Sequence, residues 1–516
     1  MPDPSIDALR NQLRDRGYLS HGIERWFALD PFRSRAFWVE LATVALKAAV
    51  LIALFALIPM TAIMLFRNYP LGAVEIVSLA LMYGVAWLVI AFAFIVVLAL
   101  VLKLRPELAV DTPRALLGIS LTAAAVLALG IGGWWSRFAE PPSLPELAGG
   151  LALLLVFFLV TTIVVSAALL SFSIYELKRI PALHRKPRTV PMTIAAIALV
   201  ALLFIPAYAG QERSTAHEPL QVVTTPTNRK VALVAVDGLT YQIFASRDLV
   251  SRQPIPALPG ASTAERWASI GTGVPTRLHG VRAIEGVRFR GGSHIIQTIS
   301  GADFLIRSAA IREPLPPTVR RRDFLWELFA HRGIPILGVN WWTSEQGPGS
   351  QQSVFAEARG EPLAVDAIAI RRALASHAQF VTVYLPALDV ILNRLPLARS
   401  AQLAQSVRAL EQLSAAIAAL RARGYDVILI GMPGDHQDGR GVIASTIALA
   451  PAESAYDLAP TLAALLGFPA SAEMPGKSLA GDVQRIPTYG TRSSSSRPGK
   501  VDEEYYRNLK SLGYIR

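Results

Sequence analysis

Cysteine is absent from all 516 residues. That excludes disulfides, thiolate nucleophiles and cysteine-held zinc, so any metal would have to rest on histidine, carboxylate or hydroxyl groups. Histidine is scarce as well, at eight residues. Charged residues make up only 17% of the chain against 52% hydrophobic ones, a balance that can bury ample surface and so excludes a disordered protein. No low-complexity tract or internal repeat runs along the chain, which removes fibrous and solenoid architectures. The lack of cysteine fits an oxidising compartment.

What the sequence has in excess is apolar length, and it lies in the first 210 residues. Five stretches, 36–66, 71–104, 115–135, 147–177 and 189–209, each reach the about 20 residues that cross a bilayer core, so we read five spans. Residues 1–35 are polar, carry six arginines and lack a short apolar region with a cleavage site, unlike a secretory signal peptide. Lysine and arginine assign the sides. The tail (Arg10, Arg14, Arg16, Arg25, Arg33, Arg35), the second loop (Lys103, Arg105, Arg114) and the fourth loop (Lys178, Arg179, Arg185, Lys186, Arg188) hold 14, whereas the first and third loops hold Arg67 and Arg137. Positive charge stays on the cytoplasmic side, so the N-terminus is expected inside a bacterial cytoplasmic membrane. Everything after residue 210 is then expected outside, in the periplasm where there are two membranes.

Ionisable residues within spans are functional candidates, and here they are Glu40, Lys47 and Glu75. Glu40 and Glu75 lie near span ends and Lys47 can extend toward the cytoplasmic face, so we read all three as accommodated charges. The formal net charge is +12, and residues 211–516 hold 33 Lys/Arg against 26 Asp/Glu. A modest basic excess beside an anionic membrane suits acidic lipid or phosphate partners, and no nucleic acid is expected on that side.

Residues 211–229 read as a polar linker with Thr and Pro. From 230 to 487, short β-rich runs alternate with helical ones. VALVAVDG (231–238), IPILGVN (334–340), FVTVYL (380–385), YDVILIG (425–431) and GVIAST (441–446) predict strands, and helical periodicity covers 323–332, 365–378, 397–423 and 457–466. Near-continuous apolar strands between helices predict an α/β domain with a mostly parallel central sheet. Residues 488–516 comprise a Ser/Pro/Gly-rich segment and a short amphipathic helix.

Ligands of such sheets collect beyond the carboxyl ends of the strands. Asp237, Asp389 and His436 fall after three predicted strands, and Ser262-Thr263 precedes the run ERWASIGTG. Two carboxylates, a hydroxyl and a histidine could hold a divalent cation and set an activated hydroxyl on it. Each alone has an ordinary reading, since Asp-Gly after a strand makes a turn and Ser-Thr before a helix makes a cap.

Taken in order, these segments resemble the alkaline phosphatase superfamily, especially its type I phosphodiesterase/nucleotide pyrophosphatase branch. VALVAVDGLT resembles the opening strand with its metal-binding Asp, and STAERWASIGTGVPTRLHGV (262–281) the nucleophile segment with a following Pro-x-x-His-Gly. LWELFAHRGIPILGVNWWTS (325–344) resembles the next helix, strand and paired tryptophans, and SAYDLAPTLAALLGFPASAEMPGKSL (454–479) the closing helix and hairpin. The resemblance implies an alkaline phosphatase-like outer domain over 230–487, with Asp237 as a metal ligand and Thr263 as a metal-bound nucleophile. Asp389 matches the Asp of an Asp-x-x-x-His ligand pair, but Asn393 stands in the histidine's place.

Two registers remain open after YDVILI, where the family has Ser-Asp-His-Gly and this chain has Gly431, Met432, Pro433 and Gly434. In one, His436 matches the family's last metal histidine. In the other, Asp435-His436 takes the place of the missing Asp-His pair, giving a one-metal set of Asp237, Thr263, Asp435 and His436. That set resembles lipoteichoic acid synthases and phosphoethanolamine transferases, which also carry such a domain outside five spans. Either register implies at most one divalent ion, Zn, Mn or Mg, or none.

Three functions follow. The first is a membrane-anchored, metal-dependent phosphodiesterase, phosphatase or headgroup transferase acting on lipid-linked or small phosphorylated substrates. The second is a degenerate member that binds a phosphorylated lipid or glycan, or scaffolds an envelope protein complex; Glu265 and Arg266, crowding Thr263 as a charged pair, favour it. The third is a transporter-like role for the spans.

Overall fold

The computed structural model describes residues 35–66, 71–104, 113–136, 142, 144–174 and 224–492, the last range with breaks at 226, 245–248, 259–261, 293, 298–309, 316–318, 342–350, 353, 355–356, 360 and 435–438. The predicted tail, the fifth stretch at 189–209, most of the linker, Trp342 of the tryptophan pair and the C-terminal helix lie outside the described residues, as do Asp435 and His436. What is described falls into two compact units. One is drawn from the apolar helices, and the other contains the α/β domain together with residues 63–78 and 136–146.

The apolar helices, which supply the first unit with most of their residues, are α1 (Arg35–Phe66), α2 (Ala73–Leu104), α3 (Pro113–Trp135) and α4 (Leu144–Ile174). Four segments of these helices, Trp38–Phe66, Ala73–Val101, Leu116–Trp135 and Leu144–Ser171, are long and apolar enough to cross a membrane. They form because a helix satisfies its backbone donors and acceptors internally, the condition for chain in hydrocarbon. Leu81, Leu129 and Leu155 face outward, as lipid-facing residues do, while Trp87 packs edge-on against Phe157 and its indole N–H points to Met60 Sδ at 3.2 Å. Glu75 lies in the first turn of α2, where a negative charge suits the positive end of the helix dipole.

The second unit is organised around a seven-stranded sheet of order β2-β10-β9-β1-β8-β6-β7. Its strands are β1 (Lys230–Asp237), β2 (Ser251–Ile255), β6 (Ile336–Val339), β7 (Gln351–Gln352), β8 (Phe380–Leu385), β9 (Tyr425–Met432) and β10 (Gly441–Ser445). From β7 through β9 the pairings are parallel, whereas β10 runs against both β9 and β2. The sheet is therefore mixed, with β10 the one strand that runs against its neighbours and β2 aligned again with the rest. The reason is length, because the eight residues between Met432 and Gly441 are too few for the crossover of about a dozen that a parallel return needs. Pro254 sits in β2, an edge strand, where its missing N–H is tolerated.

The central strands β1, β8 and β9 are buried almost end to end, so both faces of the sheet are covered. Helices α8 (Pro362–Ala375) and α9 (Arg399–Ala422) pack together and against β8 and β9 respectively. α5 (Thr263–Thr272) packs on α10 (Leu458–Leu466), which lies against β1, while the short α6 (Thr276–His279) follows α5 and α7 (Leu325–His331) leads to β6. A side sheet of β3 (Glu285–Arg288), β4 (Ile296–Gln297) and β5 (Ile311–Pro314) is antiparallel, and a pair of two-residue strands, β11 (Ala470–Ser471) and β12 (Arg485–Ile486), follows α10. Trp267, Phe324, Trp326, Trp341 and Tyr384 form one aromatic cluster inside this core.

Candidate functional site

Parallel pairing brings the ends of β1, β8 and β9 to one edge, and the candidate residues gather there. Register places Asp237 beside Met432, and the chain leaving β8 turns at Pro386 into a short helical segment, Ala387–Asp389, that continues as a π-helical turn, Val390–Arg394. Gly238 follows Asp237 in the left-handed region (φ 78°), and a Cβ there would lie 2.6 Å from the Asp389 backbone nitrogen. The Asp-Gly of the first strand is thus both a turn and the close approach that sets Asp237 next to the Asp389 turn.

Thr263 is the first residue of α5 and only 1% exposed. Ser262 is its N-cap: the Ser262 Oγ accepts from the Glu265 N–H at 3.2 Å and donates to the Arg282 carbonyl at 2.7 Å. Glu265 returns its carboxylate to the Ser262 N–H, completing a capping box. Glu265 and Arg266, expected to crowd Thr263 as a charged pair, each make a contact of their own. Glu265 closes the cap, while Arg266 reaches away to donate to the Pro433 carbonyl at 2.5 Å and to face Asp237 Oδ1 at 3.7 Å.

Asp237 is fully buried and its Oδ2 accepts from the Tyr384 hydroxyl at 2.9 Å. Asp389 is fully buried too. Its Oδ1 accepts from Asn393 Nδ2 at 2.7 Å, and its Oδ2 pairs with Arg394 Nε at 2.6 Å. Arg394 Nη2 then extends to Thr263 Oγ1 at 3.4 Å, so one guanidinium spans the carboxylate and the candidate nucleophile. Helix geometry explains why both neighbours reach Asp389. In an α-helix the residue four ahead shares a face, and a turn closed five residues apart, as in Leu395 N–H to Val390 carbonyl at 3.0 Å, brings the fifth alongside as well. Behind the turn, Asp366 Oδ1 accepts from the Ala387 N–H at 3.3 Å, and burial pushes its pKa well above the carboxylate range, opposed by that hydrogen bond.

His279, the histidine of Pro-x-x-His-Gly, is buried beside α5 rather than at the strand ends. Its Nδ1 accepts from the Val281 N–H at 3.1 Å, which leaves the proton on Nε2 to donate to Ser269 Oγ at 2.9 Å. Burial lowers its pKa well below the ordinary value, with Arg282 and Arg320 adding to the effect. It clamps the turn that follows α5.

The structure therefore brings Asp237, Thr263, Asp389 and Asn393 to one place. Sequence reading missed Arg394, Tyr384 and Asp366 as members of the group, and the one available signal was Arg394 standing directly after the Asp389-x-x-x-Asn393 pattern. The described residues do not fit the divalent ions that the family resemblance implies. Among them no three His, Asp or Glu side chains converge as ligands. Asn393 turns its amide nitrogen to Asp389, since a carboxylate oxygen requires a donor. Met432 is buried in the core, and Gly434 packs so closely that a Cβ there would overlap Asp389 Oδ1 and Asn393 Nδ2.

No family model matches the chain, and no curated protein does. Solved structures with a partly similar fold are members of the alkaline phosphatase superfamily. Phosphonoacetate hydrolase from Sinorhizobium meliloti is 10% identical with a TM-score of 0.29, over 42% of this chain and 60% of that one. Human ectonucleotide pyrophosphatase/phosphodiesterase 5 is 13% identical with a TM-score of 0.29, over 40% and 57%. The lipoteichoic acid synthase from Listeria monocytogenes is 10% identical with a TM-score of 0.30, over 57% of this chain and 95% of that one. The chain spans about three fifths of the length of the first two.

Proposed function

We propose that this is a membrane-anchored, alkaline phosphatase-like protein whose outer domain binds a phosphorylated lipid or glycan beyond the cytoplasmic membrane without turning it over. The observation that supports this reading best is the pairing of Arg394 with Asp389 over Thr263, a hydroxyl almost wholly shielded from solvent. A threonine hydroxyl becomes a nucleophile when a base or metal withdraws its proton, and a guanidinium can do neither because it remains protonated throughout the working range. A membrane lipid surface, an envelope protein partner and an absence of nucleic acid complete the proposal, together with a cytoplasmic N-terminus.

The competing reading is a metal-dependent phosphodiesterase, phosphatase or headgroup transferase. Thr263 opening a helix next to Asp237 favours it, and it draws its remaining ligands from Asp435 and His436. Hydrolysis of a generic aryl phosphodiester by the purified full chain separates the two. The binding reading expects the same background rate from the wild type and Thr263→Ala, each supplied with Zn, Mn or Mg. A wild-type rate that Thr263→Ala abolishes would establish the enzyme instead.

A further inference from the structure

We propose that Arg394 and Arg266 are fixed cations standing where a hydrolase of this architecture would hold divalent ions, so that the site is metal-independent by construction. The inference rests on the binding reading and gives it a chemical basis. A metal shared between a carboxylate and a nucleophilic hydroxyl must sit between the two, and here that path is taken by a guanidinium, with Nε on Asp389 Oδ2 at 2.6 Å and Nη2 near Thr263 Oγ1 at 3.4 Å. The second carboxylate is served in the same way. Arg266, anchored on the Pro433 carbonyl at 2.5 Å, faces Asp237 Oδ1 at 3.7 Å, and Tyr384 holds the other oxygen.

Three further features show that these cations are built in. The π-helical turn aligns the residue five positions after Asp389 with it, so Arg394 is placed by backbone geometry as well as by attraction. Arg266 projects from the first turns of a helix that a capping box fixes in place. And Gly434 packs against this pair so closely that a side chain there would overlap Asp389 Oδ1 and Asn393 Nδ2. A divalent ion would then have to displace a paired guanidinium and meet two like charges in a buried space. The same planar fork that satisfies a carboxylate is suited to phosphate oxygens, which makes a phosphate oxyanion the matching ligand class.

The test uses the purified full chain in detergent. After dialysis against zinc and then metal-free buffer, the wild type is expected to retain no zinc, and its unfolding temperature should be the same in EDTA as in zinc or manganese. The variant N393H/R394A restores an Asp-x-x-x-His pair and removes the guanidinium, and it is expected to retain zinc and to unfold at a higher temperature with it. Stoichiometric zinc or manganese on the wild type overturns the proposal, and so does a folded N393H/R394A that takes up none. The wild-type measurement decides by itself if that variant does not fold. Aryl phosphodiester hydrolysis in EDTA, abolished by Thr263→Ala, would end the binding reading while leaving the metal-free assignment standing. Zinc bound to an inactive wild type would do the reverse.

Discussion

Removing the Arg394 guanidinium should expose how strongly the buried carboxylate beside Thr263 depends on it. Asp389 is fully buried and lies 2.6 Å from Arg394 Nε, while the Arg394 side chain is 14% exposed. At that separation, an effective dielectric of about 20 puts the bare attraction near 6 kcal/mol, an upper bound because both groups have also left water. Arg394→Gln leaves an uncompensated buried carboxylate, which costs about 3–5 kcal/mol. Asp389→Asn removes the charge that needs compensation and leaves an arginine able to reach solvent, so its cost is closer to the about 1.5–3 kcal/mol of a lost charged hydrogen bond. The double variant contains neither charge and should recover much of the loss, giving a coupling energy of at least about 2 kcal/mol. The assay is denaturant unfolding of the full chain in detergent, followed by tryptophan fluorescence, for all four members of the cycle. Additivity within about 0.5 kcal/mol would refute the pairing as an energetic unit.

Two other outcomes follow from the same reasoning. His279 has a folded pKa held well below its unfolded value of about 6.5, so the unfolded state binds the extra proton; its contribution is complete above that pH and is lost as pH falls, at about 1.4 kcal/mol per unit. His279→Gln should therefore flatten the acid side of the stability profile between pH 7 and pH 5, and parallel profiles for variant and wild type would contradict the buried neutral imidazole. The 14-to-2 distribution of lysine and arginine predicts that reporters fused near residues 220 and 490 are external and that the 178–188 loop is cytoplasmic; protection of both fusion points from protease in intact cells with a permeabilised outer membrane would overturn that topology.

Much of the architecture was legible in the sequence because it rests on local patterns. Apolar runs longer than a bilayer core can be read one residue at a time, and four of the five expected stretches coincide with helices long and apolar enough to span. VALVAV, FVTVYL and YDVILI announce strands covered on both faces, and Ser262 with Glu265 announces a helix start by spacing alone. The direction of β10 was also implicit in the short connection before it, although composition does not reveal strand direction.

The chemistry of the site was decided by tertiary contacts. Asp237 and Asp389 are far apart in the chain and the parallel pairing of β1 with β8 brings them to one edge, while Thr263 arrives on α5. Adjacent in sequence, Glu265 and Arg266 read as a pair, yet one closes a helix cap and the other crosses to Pro433 and Asp237. That Asn393 donates its amide nitrogen to Asp389 is likewise a matter of which group it faces. Arg394 carries no motif of its own, because what makes it part of the site is a turn closed five residues apart instead of four, a difference of backbone geometry that residue types do not encode singly.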